Sequence, residues 1–303
     1  MDRRARRPVA GRGARGVAGR SASLAPAPRR HDPRRGLDRR AHPRGGRTMT
    51  TTWTVLGSSG GAPTRTNPAS GYLLRSGDRT VWLDAGTGTF MALAELVDPG
   101  RLDAVVVSHV HVDHCADLYG LYGYLAYGPS GIVPIPVFVP PGAAEHLAAF
   151  ARATAEHVFH HVLDLRTVEA GDVVEVGELR FEFGFGVHPV PSLVTRVSTP
   201  DGVVVYSGDT GPGGDLPRLA AGADLLVVEA SLQGVRGPDT YPYHLTAQEA
   251  AELAVAAEVG RFVLTHVAAT ADPAVSVGEA EAVYGAPVDY AAPGTTFTPR
   301  SDR

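Results

Sequence analysis

A chain of 303 residues, 44% hydrophobic and 20% charged, is long enough for one large globular domain or two small ones. Its single Cys excludes a disulfide framework and a four-cysteine zinc module, and the lack of any lysine excludes Schiff-base, pyridoxal and P-loop chemistry. The net charge of −4 averages two unlike parts: residues 1–48 hold 15 Arg against three Asp, a charge of +12, and the remainder carries −16.

Residues 1–48 read as a disordered, Arg-rich extension in which Arg, Gly, Pro and Ala dominate and no apolar period appears. No apolar run of about 7–15 residues marks a secretory signal, so the expected location is the cytoplasm. Three readings of this segment stay open. It could bind nucleic acid by charge, or serve as a targeting peptide, although Gly and Pro spoil an amphipathic helix. Composition favours the third, upstream sequence before a start at Met49, over a nucleic-acid-binding tail.

From Met49 the pattern is regular, and 49–303 reads as one domain. Thr52–Leu56, Gly71–Arg75 and Thr80–Leu83 are short strands separated by turn signals, and Phe90–Leu96 is a helix ended by Pro99-Gly100. Asp103–Ser108 is a nearly continuous apolar run, the pattern of a strand buried on both faces. A helix is expected over Ala143–Thr154. Strands follow at Val173–Val176, Leu179–Phe185, Leu193–Val197, Val203–Ser207 and Ala223–Val228. Thr246–Ala257 has helical spacing, with Thr246 and Glu249 placed as a capping box, and Arg261–Thr265 is a last buried strand. No apolar run of about 20 residues exists to span a membrane. Strands interleaved with helices argue for an α/β (α+β) domain of stacked sheets covered by helices.

The segment Ser108-His109-Val110-His111-Val112-Asp113-His114 follows the buried strand. His109 and His111 are two apart, so on extended chain both rings face the same way and can chelate one ion. Asp113 and His114 follow at the turn, where they can reach a second. Imidazole with carboxylate suits Zn²⁺, and also Mn²⁺ or Fe²⁺. Four ligands do not fill two sites. His188, Asp209 and His266 each stand at the end of a predicted strand and supply the remainder.

With these residues in place, the sequence resembles the metallo-β-lactamase superfamily over about residues 50–298. The resemblance implies a four-layer αββα sandwich with two divalent metal ions at one edge of the sheets. His109, His111 and His188 would hold one metal, Asp113, His114 and His266 the other, and Asp209 would bridge them. Asp113 marks the hydrolase branch with a full second site. Leu56-Gly57-Ser58-Ser59-Gly60-Gly61, Val228-Glu229-Ala230-Ser231 and His244-Leu245-Thr246-Ala247-Gln248-Glu249 are similar to segments of ribonuclease Z-type phosphodiesterases. Pro68–Leu74 and Tyr206–Gly211 look most like a bacterial group linked to cyclic-nucleotide phosphodiesterase activity. Dimerisation is common in this branch, so a homodimer is an expected assembly.

The implied activity is cleavage of a small phosphodiester, a cyclic or short nucleotide, by a metal-bridging hydroxide. Asp113 and Asp209 would serve the catalytic metals, and His244 would protonate the departing oxygen. A tRNA 3′ endonuclease and a thioesterase or lactonase on the same fold are the alternatives. His188 and Asp209, between which a tRNA-processing member carries a docking arm, are only 21 positions apart. Asp84 and Glu229, each after an apolar run, are candidate acceptors that orient imidazoles. Cys115 reads as a packed residue and His157, His160 and His161 as a solvated face. Gly57-Ser58-Ser59-Gly60-Gly61 matches the serine-hydrolase nucleophile elbow, but Pro63 and Pro68 leave no room for the helix that elbow requires.

Overall fold

The structure is a computed structural model that describes residues 50–128, 133–152 and 156–299. The Arg-rich extension, and the boundary expected at Met49, lie outside the described residues. In chain order the first strands are β1 (Thr52–Gly57), β2 (Ser59–Gly60), β3 (Gly71–Ser76), β4 (Arg79–Leu83), β5 (Ala104–Val106), β6 (Ile135–Val139) and β7 (Leu163–Thr167). They are followed by β8 (Val173–Val176), β9 (Leu179–Phe185), β10 (Leu193–Thr199), β11 (Gly202–Tyr206), β12 (Leu225–Glu229), β13 (Phe262–Thr265), β14 (Val267–Ala268), β15 (Asp289–Tyr290) and β16 (Thr296–Phe297). The helices are α1 (Thr89–Leu96), α2 (Val112–Cys115), α3 (Leu118–Tyr127), α4 (Ala143–Ala151), α5 (Glu156–Val162), α6 (Leu216–Ala220), α7 (Ala247–Ala256) and α8 (Pro273–Tyr284).

Two seven-stranded sheets result, ordered β16-β1-β3-β4-β5-β6-β7 and β15-β13-β12-β11-β10-β9-β8, with β2 and β14 forming a small parallel pair. Strand alternation sorts the apolar side chains into layers. Tyr72 and Leu74 of β3 and Val204 and Tyr206 of β11 join one buried cluster drawn from both sheets. The intervening Leu73 packs in a second cluster with α1, α3, α4 and α5, and Val205 in a third with α6, α7 and α8. Three apolar clusters are what a four-layer αββα stack requires, and this is the expected sandwich.

Most predicted strands and helices are present within a residue or two; the helix expected over Ala143–Thr154 ends at Ala151, and the last two residues of that expectation lie outside the described residues. Both halves of the Thr246–Glu249 capping box form. Asp103–Ser108 is shorter than expected, with β5 confined to Ala104–Val106 because Ser108 leaves the ladder for the Asp84 carboxylate. Several elements were not anticipated. Helix α3 buries Leu118, Leu121, Tyr122 and Leu125 at helical spacing despite Gly120 and Gly123, and α8 is poor in large apolar residues. Strand β6 carries Pro136, normally a mark against a central strand, and β7 mixes polar with apolar residues. Among the described residues no helix is long and apolar enough to cross a membrane.

Parallel pairing sets the place of the chemistry. Strands β4, β5 and β6 run parallel, as do β11, β12 and β13, so their C-terminal ends share an edge in each sheet. The chain after β4, β5, β11, β12 and β13 therefore emerges where the two sheets meet. There the backbone of Leu193, opening β10, donates to the carbonyl of Ser108 at 2.9 Å.

Candidate metal centre

The His-rich segment folds as its anchors dictate. Asp84 accepts the Ser108 N–H at 2.6 Å and ends the ladder. His111 is in extended backbone (φ −64°, ψ 146°) as the cap residue of α2, and its carbonyl accepts from the His114 N–H at 2.9 Å. The one-turn helix that follows swings Asp113 and His114 inward, both buried, while His109 is fully enclosed.

Seven side chains converge. Nδ1 of His111 lies 3.0 Å from Nε2 of His109 and 3.2 Å from Nε2 of His188, so one ring nitrogen of each His faces a common point. On the other side, Nε2 of His266 lies 3.2 Å from Oδ2 of Asp113 and 3.3 Å from Oδ2 of Asp209. Nε2 of His114 is 3.2 Å from Oδ1 of Asp209 and 3.6 Å from Asp113. The Asp209 carboxylate also stands 3.8 Å from His109, between the two groups. His109–His111–His188, His109–His114–Asp209 and Asp113–His114–His266 each present donor atoms within 4.8 Å of one another.

Neighbouring groups fix the direction of three of the rings. Nδ1–H of His114 is held by Asp84 at 2.7 Å, Nδ1 of His188 by the Tyr243 carbonyl at 3.2 Å and Nδ1 of His266 by Ser231 at 2.8 Å. In each case the second nitrogen is left facing the cluster, the usual means of setting a ligand tautomer. Asp113 accepts from the Gly61 N–H at 2.8 Å. Gly60 must be glycine, since a Cβ would come within 2.7 Å of the His266 carbonyl and 3.0 Å of its ring. Asp84 (φ 55°) and His266 (φ 51°) occupy left-handed backbone, a strain that non-glycine residues tolerate where the surroundings enforce it.

Electrostatics suit cations. Burial holds His109 well below the ordinary imidazole range, lowers His111, and pulls His188 down to about 4, so all three are neutral with a lone pair to give. Burial also opposes charge on Asp113 and Asp209, yet the neighbouring His266 and His114 hold both carboxyls low and ionised. At His114 burial is outweighed by the Asp209 and Asp84 carboxylates, which favour positive charge there. Nε2 of His114 and Oδ1 of Asp209 are both buried with no hydrogen-bond partner although they face each other. A cation shared between them would take the place of the proton that the two carboxylates otherwise draw onto His114, and would satisfy both buried atoms. The residues present therefore fit divalent ions.

His244 lies beside the cluster. Its Nδ1 is 2.8 Å from Oε1 of Glu229, and its ring stacks 5.7 Å from that of His266 and stands 5.4 Å from that of His188. Glu229 is fully buried and also accepts from the N–H groups of Thr210 and Ser231, at 2.7 and 3.2 Å. Burial acts against a charged His244, but Glu229 overrides it and raises the imidazole to about 9. Of the orienting carboxylates, Asp84 bonds a clustered imidazole and Glu229 bonds His244 instead.

Other singled-out residues stand apart. Cys115 is buried with Sγ 3.4 Å from the Val110 carbonyl, and burial pushes its thiol up to about 12. His160 and His161 are exposed on α5, and the side chain of His157 lies outside the described residues. Ser59, the serine in the nucleophile position, lies in β2 and donates to the Ala62 carbonyl at 2.6 Å, and no helix follows it, so the serine-elbow match is a coincidence of letters. Sequence reasoning missed Tyr206, Ser231 and Tyr243, which act on the site through hydrogen bonds between distant segments, and Arg236, which bonds its own loop and Glu249 of α7. Only Ser231 had a local signal, its place two residues after Glu229.

Comparison with known proteins agrees with this geometry. Residues 79–267 match the beta-lactamase superfamily domain. A Mycobacterium leprae protein is 36% identical over 262 residues, covering 83% of this chain and 90% of the relative. A ribonuclease Z of Mycolicibacterium gilvum is 32% identical over 246 residues, 73% of this chain and 85% of that protein. The crystal structure of the metallo-beta-lactamase fold protein YhfI from Bacillus subtilis superposes with a TM-score of 0.73 at 26% identity, covering 82% of this chain and 99% of that one. The sandwich, the clustered histidines and aspartates and these relatives converge: the chain belongs to the metallo-β-lactamase superfamily and, within it, to the ribonuclease Z-like branch of hydrolases.

Proposed function

We propose that the protein is a metal-dependent phosphodiesterase that cleaves small cyclic or short nucleotides. The observation that carries this reading is the Glu229–His244 pair beside the histidine and aspartate cluster. A thioester releases a soft thiolate that needs no proton, whereas a ribose oxygen, like the alkoxide of a lactone, leaves poorly unless protonated. With Nδ1 given to Glu229, His244 keeps Nε2 for the departing oxygen, and the Glu229 carboxylate favours the protonated imidazole.

His109, His111 and His188 would hold one divalent ion and Asp113, His114 and His266 a second, with Asp209 shared; zinc suits this donor set, as do manganese and iron. Bound ions supply Lewis acidity for phosphoryl transfer and lower the pKa of the attacking water. The chain's own residues do the remainder. Asp84, Ser231 and the Tyr243 carbonyl orient the ligand rings, and Glu229 orients the acid. With no lysine in the chain, the ions must carry most of the charge facing the phosphate.

A small substrate is favoured by what lies between His188 and Asp209. That interval holds only the β10–β11 hairpin, paired residue by residue from Thr195–Tyr206 to Thr199–Gly202. The −16 charge of the chain beyond residue 48 also suits a large polyanion badly. Similarity to a ribonuclease Z keeps tRNA 3′ cleavage as the second reading. A homodimer and a cytoplasmic location belong to the same proposal.

The test is metal-loaded full-length protein assayed on 3′,5′-cAMP, bis(p-nitrophenyl) phosphate, precursor tRNA, and thioester and lactone panels. Turnover of the two small phosphodiesters supports the proposal. Activity confined to esters or to precursor tRNA overturns it.

A further inference from the structure

We infer that Tyr241 is a nucleobase-stacking residue that gives the site its preference for nucleotides over other phosphate esters. The inference rests on the phosphodiesterase reading and adds a specificity contact to it. Three rings form a row leading out of the cluster. His266 and His244 are 5.7 Å apart at an interplanar angle of 21°, and His244 and Tyr241 are 5.7 Å apart at 33°. Exposure rises along the row, from 3% at His266 through 19% for the His244 side chain to 50% at Tyr241. A phosphate held among the metal ligands would thus have its nucleoside directed along a ladder of flat faces, ending on an aromatic ring open to solvent.

The ring is held in place before any ligand arrives. Tyr243 packs edge-on against it at 5.4 Å and 70°. Arg236 gathers the loop, donating to the carbonyls of Tyr241 at 3.1 Å and His244 at 2.5 Å while its guanidinium pairs with Glu249 of α7. From behind, the loop abuts Gly211, where a Cβ would lie 1.9 Å from the Pro242 carbonyl. Gly211 is two residues from Asp209, so Tyr241 is fixed to the same frame as the metal ligands. Pre-organisation of this kind lowers the ordering cost of binding. A half-exposed aromatic ring on a pinned loop stacks any base, since every base has a π-face.

Calorimetric binding of 5′-AMP and of ribose 5-phosphate to the metal-loaded full chain separates the base from the phosphate. We expect 5′-AMP to bind about tenfold more tightly than ribose 5-phosphate. Y241F should keep that ratio, because stacking needs the ring and not the hydroxyl, and Y241A should bring it close to one with ribose 5-phosphate affinity unchanged. Equal affinities in the wild type, or an undiminished ratio in Y241A, overturns the inference. The phosphodiesterase reading fails by a different result, no turnover of either small phosphodiester, which leaves these binding ratios as informative as before.

Discussion

The phenol oxygen of Tyr206 lies 2.6 Å from Oδ2 of Asp84, joining the end of β11 in one sheet to the residue after β4 in the other. The same oxygen of Asp84 accepts from Ser108 Oγ at 2.8 Å and from His114 at 2.7 Å. Burial, and then the negative charge of Asp84, hold the phenol well above its ordinary range, so it remains a donor throughout the working pH range. Its ring packs against Trp53 and Tyr72 between the sheets. The interior of the sandwich is therefore bonded directly to a residue that aims a clustered imidazole.

Y206F tests that link. The substitution keeps the ring and leaves Asp84 one donor short. We expect a loss of metal affinity of no more than about tenfold, the low end of the effect of removing a ligand's direct outer partner, because Tyr206 acts through Asp84. Stability should fall by about 1 kcal/mol. Metal titration and urea unfolding read the two effects, and an unchanged metal affinity would show that Tyr206 serves the core alone.

H111A and D209A remove one donor from the all-histidine group and the carboxylate shared by both groups. Each should lose bound metal and more than about a hundredfold in turnover together, as should chelator treatment of the wild type, reversed by added Zn²⁺ or Mn²⁺. Metal analysis alongside the phosphodiester assay checks this. Full activity in both variants would refute the ligand assignment.

His244 predicts the shape of the alkaline limb. A general acid works only while protonated, so turnover should fall as pH rises through its pKa, which Glu229 sets at about 9 without metal. Bound cations repel the imidazolium and move the limb below that value. H244A should abolish this limb and slow 3′,5′-cAMP by about a hundredfold or more, with a smaller loss on bis(p-nitrophenyl) phosphate, whose leaving group needs no proton. A limb that persists in H244A assigns the proton to another group.

G211A probes the packing behind the Tyr241 loop. The added methyl meets the Pro242 carbonyl at 1.9 Å, backbone against side chain, with no flexible tip to yield. Overpacking of this kind costs about 1–3 kcal/mol, visible as a lower melting temperature. A melting temperature equal to the wild type would mean that the loop retreats freely.

Much of the site was legible in the order of residues because its parts follow local rules. A buried run ending in His-x-His-x-Asp-His, and single His or Asp residues at strand ends, mark where a sheet hands its chain to a loop. Strands with clear alternation and the capped helix α7 were legible for the same reason. Helices α3 and α8 were not, since two glycines interrupt one and small residues fill the other, and tertiary packing decides such segments.

By itself, the sequence determined stacked sheets covered by helices, seven His and Asp residues as candidate ligands and the lack of any lysine to bind phosphate, and its resemblance to a family supplied the four-layer sandwich. Only the tertiary structure decided which groups aim them. Tyr206 reaches Asp84 across 122 positions, and Ser231 reaches His266 across 35. Arg236 draws Tyr241 and His244 into one row of rings. The physical reason is that a hydrogen bond or a stacked ring depends on where two chain segments meet, and strand and helix periodicity carries no record of that meeting.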